Sequence, residues 1–215
     1  MIFSQKFIPY LLRSLRDKDY VLFEHFAIHK TSPEIPFNFL VRKKDHDAIL
    51  DAVKAFSKVG FGAVKKQSGG ASADVTLEDQ STVSLNFWYQ PTMHNVHYFD
   101  PEAIFAKRQR SKSEFYMPNI EHLFEFAVLH HFMRDRGISP QYLTYFEDFH
   151  FFVKDGLLEF FNEKYMTAFP SLDDLTIFRE SAKASIVDTL KQSPANQFFK
   201  KISLPWFGFR TEANP

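Results

Sequence analysis

The side chains in this chain that can do chemistry fall into three sets: histidines, acids near candidate strands, and two basic runs. Among the nine His are three close pairs: His25 with His29, His94 with His97, and His130 with His131. On a strand, residues four apart share a face but lie ~13 Å apart, so His25 and His29 cannot bind one ion there. His94 and His97 can co-ligate on a turn, but no Cys or carboxylate pair stands nearby to complete a zinc site. His130 and His131 diverge by ~100° on a helix, so only one faces any given partner. One of the two is expected to meet Glu147 or Asp148 of the following helix, and a hydrogen-bonded His between helices is the plainer role. The chain has no Cys, which excludes disulfides, thiolate metal sites and a Cys nucleophile. No Ser sits in a Gly-x-Ser-x-Gly elbow. Gly69-Gly70 lacks the frame of a phosphate-binding loop and is expected to be a flexible turn.

The basic residues form two clusters. Arg42, Lys43 and Lys44 follow an apolar run, and KRQRSK at 107–112 supplies Lys107, Arg108 and Arg110. Either can meet phosphate oxygens, so these six are candidate anion-binding residues. Yet Lys+Arg and Asp+Glu both total 26. No net field then draws a polyanion, nucleic acid is disfavoured as a partner, and solvated surface charge is the simpler role.

These residues need elements to position them. Residues 3–16 place Phe3, Phe7, Ile8, Leu11, Leu12 and Leu15 at helical spacing. Strands are expected at 20–28, 36–41, 61–66 and 82–89, the last with Val83, Leu85 and Phe87 on one face and Ser84, Asn86 and Trp88 on the other. A helix opening at Asp45 carries Ile49, Ala52, Val53 and Phe56 and stops at Gly60. GGASAD at 69–74 is expected to be a loop, with a short helix near 101–106. From Pro118 the pattern becomes helical: about 119–135, then from Ser139-Pro140 to near Gly156, then about 172–192. Ser171 and Asp174 are spaced like a capping box, and a short helical piece is expected near 157–164. The tail, with Trp206, Phe207 and Phe209, is expected to close onto the body. The fold class is therefore α+β: a small mixed β-sheet flanked by helices (residues 1–116), then a helical part (residues 117–215). With 27 Phe in 215 residues, the core is aromatic. Apolar runs fall short of the ~20 residues that span a bilayer, and the first residues do not form a signal peptide. A cytoplasmic protein is expected.

The order of these elements resembles the nucleotidyltransferase superfamily, and most nearly its uncharacterised bacterial branch. The resemblance is carried by PFNFLVRKKD at 36–45, FSKVGF at 56–61, VSLNFW at 83–88 and MPNIEHLFEFAVLHHF at 117–132, and covers roughly residues 5–155. It implies a site where two carboxylates on the first strand and a third on the later strand hold divalent metal against triphosphate oxygens. Carried over position by position, those places are Pro36, Asn38 and Ser84. Pro36 offers no ligand atom, Asn38 keeps an oxygen without charge, and Ser84 is neutral, whereas Mg²⁺ favours carboxylate oxygen. The Gly-rich turn after the first strand is replaced by HKTSPE, and the family's His before Trp is replaced by Asn86-Phe87. The resemblance therefore implies a non-catalytic relative that binds a nucleotide, an anion or a protein partner, without cofactor. Glu34, Asn86, His130, His131 and Asp148 are its candidate cleft residues. The alternative is an active Mg²⁺-dependent transferase using Glu34 or Asp74 in place of the lost acids.

Overall fold

The computed structural model describes residues 4–28, 36–56, 65–67, 69–77, 80–93, 96–112, 115–148, 153–194 and 196–197. The aromatic tail, Glu34, His29 and His94 lie outside them.

Helix α1 (Ser4–Ser14) buries Phe7, Ile8, Leu11 and Leu12, the apolar stripe its spacing dictates. Strand β1 is only Tyr20–Leu22. The β-forming run extends further, but the chain leaves the sheet at Phe23-Glu24 and enters a 3-10 turn, His25–Ala27. Strand β2 (Phe37–Val41) leads through a second 3-10 turn, Lys43–Asp45, into α2 (His46–Phe56), so the helix begins at the residue after Asp45. Strands β3 (Lys65–Gln67), β4 (Gly70–Thr76) and β5 (Thr82–Trp88) complete a five-stranded sheet in the order β1-β2-β5-β4-β3. β2 and β5 run parallel and every other pair is antiparallel. The sheet is thus small, mixed and flanked by helices, and the molecule is α+β.

The expected loop at 69–74 is instead mostly strand: β4 pairs with β5 from Gly70↔Trp88 to Thr76↔Thr82. Small residues read as loop-forming, but here they let backbones approach closely. Gly69, at φ +77°, turns the chain into β4, and its carbonyl accepts from the Tyr89 and Gln90 N–H groups at 2.9 and 3.0 Å. A Cβ there would stand 1.8 Å from the Gln90 carbonyl oxygen.

Two short ribbons follow. β6 (Thr92–Met93) pairs with β7 (Val96–His97). After α3 (Pro101–Lys107), whose Asp100 side chain caps Glu102 N–H, β8 (Gln109–Arg110) pairs with β9 (Tyr116–Met117). The basic run at 107–112 therefore lies partly in a paired ribbon. Helix α4 (Ile120–Phe132) is buried along most of its length. The helix expected from Ser139-Pro140 is α5 (Pro140–Asp148) among the described residues, and the helical piece expected near 157–164 lies within α6 (Val153–Tyr165); residues 149–152 fall outside the described ones. Ser171 Oγ donates to Asp174 Oδ2 at 2.7 Å, but this opens a 3-10 turn, Asp173–Thr176, and α7 starts at Glu180 and ends at Gln192.

The sheet has two buried faces. Phe37, Phe39, Val41, Val83, Leu85 and Phe87 pack with α1 and α2 in one core. Leu40 and Trp88 belong to the other, with Val21, Phe23 and the helices from α4 onward. That larger core joins residues on both sides of position 116. Among the described residues, no helix is long and apolar enough to cross a membrane.

Candidate functional site

Glu24, Asn38, Asn86 and Tyr142 meet where the sheet passes under the helices. The parallel register sets Asn38 opposite Asn86 on one face of β2 and β5. Glu24 leaves β1 and turns its carboxylate onto the same place. Asn38 backbone N–H donates to Glu24 Oε2 at 2.5 Å, and Asn38 Nδ2 donates to Glu24 Oε1 at 2.7 Å. The Tyr142 hydroxyl, on α5, donates to Glu24 Oε1. Asn86 Nδ2 donates to Asn38 Oδ1 at 2.8 Å. Glu24 is 1% exposed, Asn38 3% and Asn86 8%. Burial pushes the Glu24 carboxyl up to about 7, against the opposing pull of the Tyr142 and Asn38 hydrogen bonds. Burial likewise holds the Tyr142 hydroxyl well above its ordinary range, and the neighbouring Glu24 carboxylate adds to this.

This network occupies the position that the resemblance assigns to a metal ligand. The Asn38 oxygen already accepts from Asn86, and its nitrogen is directed at Glu24. A divalent cation needs several oxygens turned toward it, whereas Asn38 points two N–H donors at the nearest carboxylate. The residues present do not fit a metal at Asn38.

The other two positions differ from it in environment. Pro36 is half-buried just before β2, its carbonyl accepting from Asn38 Nδ2 at 3.2 Å. Ser84 is exposed, opposite Asp74 on β4, and Ser84 Oγ donates to Asp74 Oδ1 at 2.6 Å. The structure therefore gives Asn38 a sealed interior place and Ser84 an exposed one beside Asp74, while half-buried Pro36 offers only its backbone carbonyl. Among the described residues, no group of three or more His, Asp or Glu converges as metal ligands would.

The two helical His do not meet Asp148 or Glu147, which are both exposed. His130 is buried among Trp88, Phe126 and Tyr98. Arg134 Nη1 donates to His130 Nε2 at 2.7 Å, and burial, with Arg134 and His131 beside it, holds the ring well below its usual basicity. His130 is thus neutral, with its proton on Nδ1 toward the Tyr98 hydroxyl at 3.5 Å. His131 Nδ1 donates to the Ala127 carbonyl at 2.7 Å, and the ring packs edge-on to Tyr142. Tyr142, rather than an acid, is what α5 offers this pair, because the helix turns its apolar face inward and leaves residues 147 and 148 to solvent.

The two basic clusters approach one another through Arg42 and Arg108, which share Asp19. Arg108 Nη1 pairs with Asp19 Oδ1 at 2.9 Å, while Arg42 reaches Asp19 at 3.8 Å and bonds Glu102. Both guanidinium groups lie over aromatic rings, Arg42 4.1 Å from Phe105 and Arg108 4.2 Å from Tyr116. Two carboxylates match two cations, so these arginines tie α3 and the β8–β9 ribbon to the sheet. Lys43 lies 5.9 Å from the Tyr89 ring centroid, and Lys44, Lys107 and Arg110 are exposed.

Sequence reasoning did not single out Glu24, Tyr142 or Tyr145 and took His25 only as a metal candidate. Helix α5 sets Tyr142 against Glu24 and Tyr145 against His25, with Phe26 packed between the two tyrosines. The available signal was a charged residue inside an otherwise apolar strand pattern, which must find donors when buried, and two tyrosines three apart on one helix face. No protein-family model matches the chain, and no curated protein matches it.

Proposed function

We propose that this chain is a non-catalytic protein of nucleotidyltransferase type. Its former metal strand has become a structural joint, and its remaining role is to bind a nucleotide, an anion or a protein partner. One observation carries this reading: the Asn38 amide is consumed by Glu24 and Asn86 in a buried network closed by Tyr142. A strand that once presented carboxylates to solvent would now present an amide to an interior acid. The parallel pairing of the two motif strands, which sets Asn38 beside Asn86, supports the kinship. The alternative, an active enzyme with substitute acids, draws on Asp74 beside Ser84, a single exposed carboxylate. Lack of Cys fits a reducing compartment, and we assign the protein to the cytoplasm.

The test is thermal unfolding with each of the four ribonucleoside triphosphates, with and without Mg²⁺ or Mn²⁺. Saturation at ~100 times Kd adds about 2.7 kcal/mol, and each kcal/mol raises the Tm by about 2–4 °C for a chain of this size. Shifts independent of metal identify a nucleotide or anion pocket without transfer chemistry. A shift that requires metal overturns the proposal.

A further inference from the structure

A second site lies beside the joint, on the other side of the 3-10 turn. His25 and Tyr145 line a pocket of about 100 Å³ together with Gln109, Met117, Pro118, Ile120 and Leu123, partly open to solvent. Its lining comes from the turn after β1, from β8, from β9 with the residue after it, and from helices α4 and α5. Junctions of this kind, apolar with a few fixed polar groups, are where small molecules bind.

The polar wall has a defined sense. His25 Nδ1 lies 3.2 Å from the Phe23 carbonyl, which can only accept, so Nδ1 carries the proton. Nε2 is then the acceptor, and the Tyr145 hydroxyl donates to it at 3.0 Å. Burial keeps the ring neutral by lowering its basicity. His25 stands edge-on to Tyr145, with ring centroids 5.5 Å apart, so the wall also presents aromatic surface. The remaining lining is mostly apolar, Met117, Pro118, Ile120 and Leu123, with a thioether that adapts to flat rings, and Gln109 adds one polar side chain. A closed apolar cavity of about 150 Å³ accepts benzene; this one is smaller but open on one side.

We propose that this pocket binds a small aromatic molecule carrying one hydrogen-bond donor, its ring against Met117 and Leu123 and its O–H or N–H directed to His25 Nε2. The donor takes the place that the Tyr145 hydroxyl holds in the free protein. The site does not depend on the nucleotidyltransferase reading and contains none of the four residues of the Glu24–Asn38–Asn86–Tyr142 network.

Phenol and fluorobenzene test it on the full chain, because they match in size and differ in the donor. The readout is the His25 ring and Met117 methyl resonances during titration to about 10 mM. Phenol is expected to shift both and to bind more tightly than fluorobenzene; in Tyr145→Phe, where no hydroxyl competes for Nε2, the preference should reach about tenfold, the factor one hydrogen bond supplies. His25→Phe is expected to abolish that preference while fluorobenzene still shifts Met117, which shows that the pocket has survived the substitution. Tyr145→Phe removes the competing donor and is expected to preserve or increase phenol affinity. Equal affinity for the two probes, no shift with either, or loss of phenol preference in Tyr145→Phe would overturn the proposal.

Discussion

Asn38→Asp restores the acid that the resemblance places on β2, and its consequence can be worked from the joint. The introduced carboxyl would replace an N–H donor lying 2.7 Å from Glu24 Oε1. Two carboxylates in hydrogen-bond contact do not both ionise, so the pair must hold a proton. Glu24 already titrates at about 7. Glu24 already carries part of that proton in the native chain at pH 7, so the added cost is that of keeping the second buried carboxyl neutral: holding the introduced group protonated against its unfolded pKa of about 3.9 takes about 3 pH units at about 1.4 kcal/mol each, or up to about 4 kcal/mol. Total stabilities run about 5–15 kcal/mol, so the variant should lose a large share of it and about 8–16 °C of Tm. The loss should shrink by about 1.4 kcal/mol per pH unit on acidification, because the proton becomes easier to hold. Urea unfolding of variant and native chain at pH 5, 6, 7 and 8 measures this, with the difference at each pH removing other titrations. A variant within about 1 kcal/mol of native at pH 7, with no pH slope in the difference, refutes the sealed joint. Rescue by Mn²⁺ would instead show that two carboxylates suffice to rebuild a metal site there.

Tyr142→Phe removes a donor from a buried acid and should cost about 1.5–3 kcal/mol, the range for hydrogen bonds to charged groups, in the same unfolding assay at pH 8. Gly69→Ala forces a side chain into φ +77° and against the Gln90 carbonyl; the conformation alone costs about 1–3 kcal/mol, checked by thermal unfolding. Burial lowers the pKa of His25, His97, His122, His130 and His131. Their stabilisation is present above the unfolded value of 6.5 and is lost as pH falls below it. Glu24 acts oppositely: its pKa is raised from 4.5 to about 7, so its favourable contribution is full below 4.5 and is lost as pH rises through 7. Stability should therefore fall on acidification below about 6.5, and Glu24→Gln, which removes the opposing group, should steepen that fall in a pH series of unfolding curves.

The amphipathic stripe of α1, the alternation in β5, and the helical character after Pro118 follow from local spacing, and each stands where that spacing places it. Side-chain period fixes which face of an element is apolar before any partner is known. Gly70–Thr76 needed tertiary context, because small residues suit a loop or a close strand pairing equally, and only the β5 ladder decides between them. The end of β1 at Leu22 was likewise hidden, since β-propensity runs on through Ala27 and Ile28 and it is the demand of the buried Glu24 carboxylate for donors that turns the chain. Sequence alone determined that β2 carries an amide where the resembling family carries an acid. It could not say what the amide meets. Glu24, Asn38, Asn86 and Tyr142 span positions 24 to 142, and their hydrogen bonds exist only once a parallel strand pair and a distant helix close on the same few ångströms. Burial then sets the price of every unmatched donor or charge, and that price is a property of the packed molecule.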